Sequence, residues 1–252
     1  MSLDWLKSQT RKGFRKVKGV RNKFRASDQN LHFLHVGKAA GTQIVNVMEH
    51  IKSETSLYPI SHPHSIGLAD LPEGERYFFS TRDPATRYYS SFYSRKRQGR
   101  PHYDNPWSPN EAIAFGNFPE ANDLAEALFE EGQRGRQATA AIRSIRHTAR
   151  NLVDWVRFEG HLFDRRPPVW VVRQERFASD LNILLRRLDC SEAVKIDMER
   201  RSHTNDYSET PPLSDKALEN LRAWYVQDYA FLDLCESWIV ENGGEPTKGH
   251  ST

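Results

Sequence analysis

The chain has 252 residues, with 36 lysines and arginines against 33 acids and a formal charge of +3. Its 38% hydrophobic and 11% aromatic content is too rich for a disordered chain and suits one globular domain with appendages. No run approaches the roughly 18 apolar residues of a helical membrane span, and Cys190 and Cys235 are too few for a disulfide scaffold and lack metal-ligand spacing.

The small net charge hides a division along the chain. Residues 1–30 hold nine basic side chains and two acids, a charge of +7, which leaves −4 on the other 222 residues. In this arm Phe14, Val17, Val20 or Arg21, and Phe24 recur at spacings of three to four, which suits one face of a basic helix. Such a helix can lie on an anionic membrane surface or bind a polyanion; a solvated tail is the plainer alternative. Asp4 and the alternation of basic with apolar positions do not make a signal peptide, so a cytoplasmic protein is expected, with membrane contact only through the arm.

Beyond the arm, residues 31–36 (Leu-His-Phe-Leu-His-Val) read as a short buried strand, followed by a small-residue turn over 37–41 and a helix over 42–51. Residues 76–81 form a second strand, and Pro84 opens the next helix. Helices are expected over 111–115, 122–131 and 137–156, a third strand over 168–173, and a helix over 178–188. Ser214 caps a final long helix carrying Leu218, Leu221, Trp224, Tyr225, Tyr229, Leu232 and Trp238. Strands alternating with helices predict an α/β domain over 31–243, followed by a flexible tail over 244–252. Its ligand site is expected at the strand carboxyl ends.

Two motifs fall at such ends. Gly37-Lys38-Ala39-Ala40-Gly41-Thr42 lies between a strand and a helix, where small residues admit an anion to the backbone amides and Lys38 adds a full charge. It lacks the hydroxyl after the lysine that would hold magnesium in a nucleoside-triphosphate loop. In Arg82-Asp83-Pro84-Ala85-Thr86-Arg87-Tyr88-Tyr89-Ser90 a guanidinium at a strand end and a hydroxyl two helical turns on can clamp a second phosphate. Arg87 reads here as part of a salt-bridge cluster with Asp83.

His35-Val-Gly-Lys38-Ala-Ala-Gly41-Thr42 resembles the 5′-phosphosulfate loop of the PAPS-dependent sulfotransferases, and Arg82-Asp-Pro-x-x-Arg-x-x-Ser90 resembles their 3′-phosphate motif. The closest likeness is to the carbohydrate branch of Golgi-type and bacterial enzymes, here in a bacterial cytoplasmic form. Arg200-Arg201-Ser202-His203 is similar to the basic loop that closes over the nucleotide in the 2-O-sulfotransferases, and Glu175 to an acidic residue after a later strand. The likeness covers residues 31–241 and leaves 101–167 unassigned; Gly37 replaces the usual proline and Gln43 the usual serine. It implies a three-layer P-loop-like fold with a central parallel sheet flanked by helices. It also implies a metal-free transfer from 3′-phosphoadenosine 5′-phosphosulfate (PAPS), bound by Lys38, Ala39, Ala40, Gly41, Thr42, Gln43, Arg82, Ser90, Arg201 and Ser202.

In that family a histidine between the two phosphate motifs serves as base. His64 is the expected base here, with His62 orienting it or binding substrate, His35 packed or orienting, and Lys38 stabilising charge on the leaving phosphate. A hydroxyl-bearing glycan is the expected acceptor, and no specific nucleic acid partner is expected. Arginine runs over 95–100 and 134–176, with nearby tyrosines, suit an anionic acceptor or a merely solvated surface. An ATP-dependent kinase-like enzyme and a non-catalytic nucleotide- or polyanion-binding module stay open as alternatives.

Overall fold

The computed structural model describes residues 28–101, 103–156, 162–190 and 210–247. The basic arm over 1–27, Arg201, Ser202 and residues 248–252 lie outside them.

Four parallel strands form one sheet in the order β2-β1-β3-β4. They are β1 (Asn30–Leu34), β2 (Tyr58–Ser61), β3 (Arg76–Thr81) and β4 (Val171–Arg173). The runs Leu-His-Phe-Leu, Tyr-Phe-Phe-Ser and Val-Val are buried on both faces, as a parallel sheet covered by helices requires. Val169 already pairs through its N–H to the Tyr77 carbonyl (2.7 Å), so the chain joins β3 before β4 begins. The sequence reading passes over β2. It is a four-residue edge strand, partly exposed and containing Pro59, which the missing N–H confines to an edge.

α1 (Gly41–Glu54) follows β1 and buries Ile44, Val47, Met48 and Ile51, one helical stripe, against the sheet. α2 (Pro84–Lys96) follows β3; Asp83 caps it by accepting the Thr86 N–H (2.8 Å), and Pro84 occupies the first turn. α8 (Phe177–Arg187) follows β4 and packs Leu181, Leu184 and Leu185 into the same core.

The region over 101–167 serves two cores: up to Ile145 it builds a second one against α2, while Leu152, Val153, Trp155, Val156 and Phe163 join the core of the sheet. Its helices are α3 (Pro109–Asn117), α4 (Ala121–Glu126), α5 (Gly132–Ser144), and the short α6 (Val153–Val156) and α7 (Leu162–Arg165). Phe92, Phe115, Phe118, Leu124 and Ile142 meet Leu221 and Tyr225 of the chain forming α9 (Asp215–Trp224).

Three expectations change. The helix expected over 137–156 stops at Ser144 and resumes only at Val153. Thr148 turns its hydroxyl back to the carbonyls of Ile142 (2.6 Å) and Ile145 (2.9 Å), and His147 takes a left-handed backbone with φ 73°. The final helix divides at buried Tyr225 into α9 and α10 (Val226–Glu241). Residues 244–247, expected in the tail, bind the domain: Thr247 bonds Glu236, and Arg173 donates to the Thr247 hydroxyl (3.2 Å). Among the described residues no helix is long and apolar enough to cross a membrane.

Candidate anion-binding site at the strand carboxyl ends

Between β1 and α1 the chain makes a turn with left-handed backbone at Lys38 (φ 67°) and Ala40 (φ 59°). For residues with a Cβ this costs on the order of 1 kcal/mol each, so something must hold it. Three successive carbonyls are tied outward. Arg87 Nε donates to Gly37 O (3.0 Å), Arg82 Nη1 to Lys38 O (3.2 Å), and Ser80 Oγ to Ala39 O (2.5 Å). Ala40 gives α1 no side-chain cap, and the first amides of a helix have no intrahelical acceptor, so the N–H groups of Gly41 and Thr42 can donate outward from the helix start.

These residues open onto a cavity of about 400 Å³ at the carboxyl ends of β1, β3 and β4. Of the residues expected at the site, Lys38, Ala40, Gly41, Thr42, Gln43, Arg82, Ser90 and His64 line it; Ala39 is fully buried and does not. Ser94, Arg97, Arg100, Tyr103, Gln174, His35 and His147 also line it. Among the described lining residues none carries a carboxylate. Burial, and then the charges of Arg82 and Arg97, push the Lys38 ammonium down to about 8. Among the described residues the cavity is thus short of negative charge.

Three imidazoles close one side. The rings of His35 and His64 lie 4.2 Å apart, and His147 meets His64 edge-on at 5.3 Å. His64 Nδ1 sits 2.8 Å from the His35 carbonyl, which can only accept; the proton is therefore on Nδ1 and Nε2 keeps its lone pair. Arg150 donates to the His64 carbonyl and lies over the Trp155 ring at 3.9 Å, fixing the segment from behind. Burial lowers the His64 ring from its ordinary value; the bond to His35 opposes this, and Arg146, Arg150 and Arg87 add to it. His35 is lowered to about 4 by burial and then by His64. Both loop glycines are forced by these rings: a Cβ on Gly41 would stand 1.8 Å from His35 Nε2, and one on Gly37 2.7 Å from His147 Nδ1.

His62 is elsewhere. It is 2% exposed, and its Nε2 pairs with His32 Nδ1 (2.8 Å) inside the sheet; His32 Nε2 in turn binds Glu75, which also accepts from Asn30 (3.1 Å). The expected role in orienting the base or binding substrate therefore shrinks to anchoring the segment that carries His64; strand alternation would put positions 62 and 64 on one side, but β2 ends at Ser61 and the chain turns at 64–65.

Arg87 makes no pair with Asp83. It is 1% exposed and gives its hydrogen bonds to the carbonyls of Gly37, His147 (3.0 Å) and Arg150 (2.8 Å), stitching the loop to the turn after α5. Part of the expected arginine surface is likewise internal, while Arg134, Arg136, Arg143, Arg146 and Arg165 are exposed. Arg95 is buried against Glu111 (2.7 and 2.8 Å), and Arg173 against Asp180 (2.7 and 2.8 Å). Arg166 donates to the carbonyls of Leu68 and Pro72. Tyr88 is core, and of the 95–100 run Arg97, Gly99 and Arg100 line the cavity. Glu175 accepts the Asp83 N–H (2.8 Å), bracing the start of α2.

Ser94 and Arg97 were legible in principle: they stand four and seven residues after Ser90, on one face of α2. His147 and Gln174 had no motif to announce them. A scan against protein-family models and a search of curated proteins return no match to this chain.

Proposed function

We propose that this protein is a sulfotransferase that moves a sulfuryl group from PAPS to a hydroxyl of a carbohydrate acceptor. The observation that carries the reading is the meeting, in one cavity whose described lining residues carry no carboxylate, of an amide-rich anion loop with an imidazole whose free nitrogen is unprotonated. PAPS supplies a sulfuryl group already activated by its phosphate, so the protein has to bind anions, orient a hydroxyl and take one proton. The donor set fits such a ligand: Lys38 and the Gly41 and Thr42 amides suit one phosphate, and Arg82 with Ser90 suits another. A P-loop-like classification of the sheet and its loop goes with this reading, as does nucleotide binding by Arg201 and Ser202.

His64 is the base. Its Nδ1–H is committed to the His35 carbonyl, its ring stays neutral at neutral pH, and its Nε2 accepts the proton of the attacking hydroxyl. Lys38 stabilises the charge that builds on the departing phosphate. Arg97, Arg100 and Tyr103 form the wall where a charged or ring-shaped acceptor is held, and the basic arm holds the protein near anionic surfaces.

The test uses radiolabelled PAPS with a panel of glycans, lipids and phenols, and calorimetry with adenosine 3′,5′-bisphosphate. The protein should label a glycan and prefer the bisphosphate to AMP by at least tenfold. His64→Ala should lose about 10²–10⁴-fold in turnover while keeping bisphosphate affinity. Equal affinity for AMP and the bisphosphate would refute the reading.

A further inference from the structure

The break in the helix after Ser144 delivers one side chain into the cavity, His147. Its backbone is left-handed, φ 73°, a cost that its surroundings repay. Arg87 holds the His147 carbonyl, and Thr148 is fastened through its hydroxyl to Ile142 and Ile145 and through its carbonyl to Tyr225 (2.9 Å). Nδ1 lies against the Gly37 backbone, the ring stands edge-on to His64, and among the described residues neither ring nitrogen has a hydrogen-bond partner. A structure that anchors the turn this firmly and leaves the ring uncommitted is presenting it to a ligand.

We propose that His147 is the second imidazole of the reaction, donating a hydrogen bond to the sulfuryl oxygens in transit while His64 takes the acceptor's proton. This rests on the sulfotransferase reading above. The acceptor oxygen bonds to sulfur, and its proton passes to His64 Nε2. The sulfur–oxygen bond to the 5′-phosphate breaks, and its electron pair leaves with the phosphate; no proton moves to or from His147. Burial, then His64, Lys38, Arg146 and Arg87, hold the His147 ring down to about 3, so it is a neutral donor across the working range. A neutral donor stabilises the oxygens without competing with the acceptor for a proton.

Two variants separate this role from packing. His147→Asn suits the left-handed backbone and removes the Nε2 position, whereas His147→Gln carries an amide N–H to about that position. With radiolabelled PAPS and a panel of p-nitrophenyl glycosides, His147→Asn should lose about 10²-fold in kcat with bisphosphate Kd within threefold, and His147→Gln should recover at least tenfold. The limb of the pH profile set by His64 should not move. Wild-type kcat in His147→Asn, affinity falling in step with turnover, or no recovery in His147→Gln overturns the inference alone. A wild-type protein that neither binds the bisphosphate nor transfers label overturns the sulfotransferase reading and this inference with it.

Discussion

Binding of adenosine 3′,5′-bisphosphate should draw a proton onto Lys38. Before binding, burial, Arg82 and Arg97 hold this ammonium down to about 8, so near that pH half of the molecules carry a neutral amine. A phosphate seated on the loop favours the charged form and returns the group toward its ordinary value of about 10.4. Uptake on binding is then about a tenth of a proton at pH 7, about half at pH 8 and about nine tenths at pH 9. Because the ligand meets a charged Lys38 in a falling fraction of molecules, affinity should drop about tenfold, ~1.4 kcal/mol, between pH 7 and pH 9. The phosphates, with a second pKa near 6, are about nine tenths ionised at pH 7 and essentially fully ionised at pH 8 and 9, where the Lys38 uptake is read, and His35 and His147, at about 4 and 3, stay neutral throughout. Calorimetry at pH 8 in Tris and in HEPES reads the uptake as the difference in apparent enthalpy. Lys38→Arg, which cannot lose its proton in this range, should bind with no uptake and no pH dependence. Uptake that persists in Lys38→Arg, or is missing from the wild type, would refute the account of the cavity as short of negative charge.

Gly41→Ala should weaken bisphosphate binding about tenfold or more, because its Cβ would occupy the place of the His35 ring; in a His35→Ala background the same change should cost several-fold less, a coupling that a double-mutant cycle measures. Glu111→Gln tests the claim that Arg95 is structural. Burial alone would raise the Glu111 carboxyl, but Arg95, the Ser108 and Arg146 amides and the Arg95 charge hold it down to about 2. A carboxyl depressed in this way adds stability above its unfolded value of about 4.3, and that stability is lost as pH falls toward 2. Urea unfolding at pH 7 should show Glu111→Gln less stable by about 3–5 kcal/mol, with the deficit shrinking toward pH 2 and transfer kinetics per folded molecule unchanged.

What sequence reasoning found, it found where local chemistry and local structure agree. The strand over 76–81, the Pro84 helix start and the Ser214 cap are each specified within a few residues, and each stands in the structure. That Lys38, Arg82 and Ser90 share one cavity was legible for the same reason: a cleft at strand ends is written in short runs whose order along the chain follows the sheet. β2 was missed because Tyr58-Pro59-Ile60-Ser61 is neither a buried run nor a clean alternation; its pairing to β1 is decided across some thirty residues.

His147 shows why the remainder was out of reach. Over 137–156 the apolar periodicity is continuous, and a helix would satisfy it. The chain departs from that helix because Thr148, Arg87 and Tyr225 offer its backbone better partners, and two of those three are 60 and 77 residues from the groups they bind. Arg87 makes the same point from the other side. Beside Asp83 in the sequence it reads as half of an ion pair, yet its geometry serves three carbonyls drawn from two loops. One buried guanidinium thereby sets the anion loop and the His147 turn at a fixed spacing, and the relation between phosphate and imidazole on which the proposed chemistry depends is a property of that tether. No pattern of neighbouring residues encodes it.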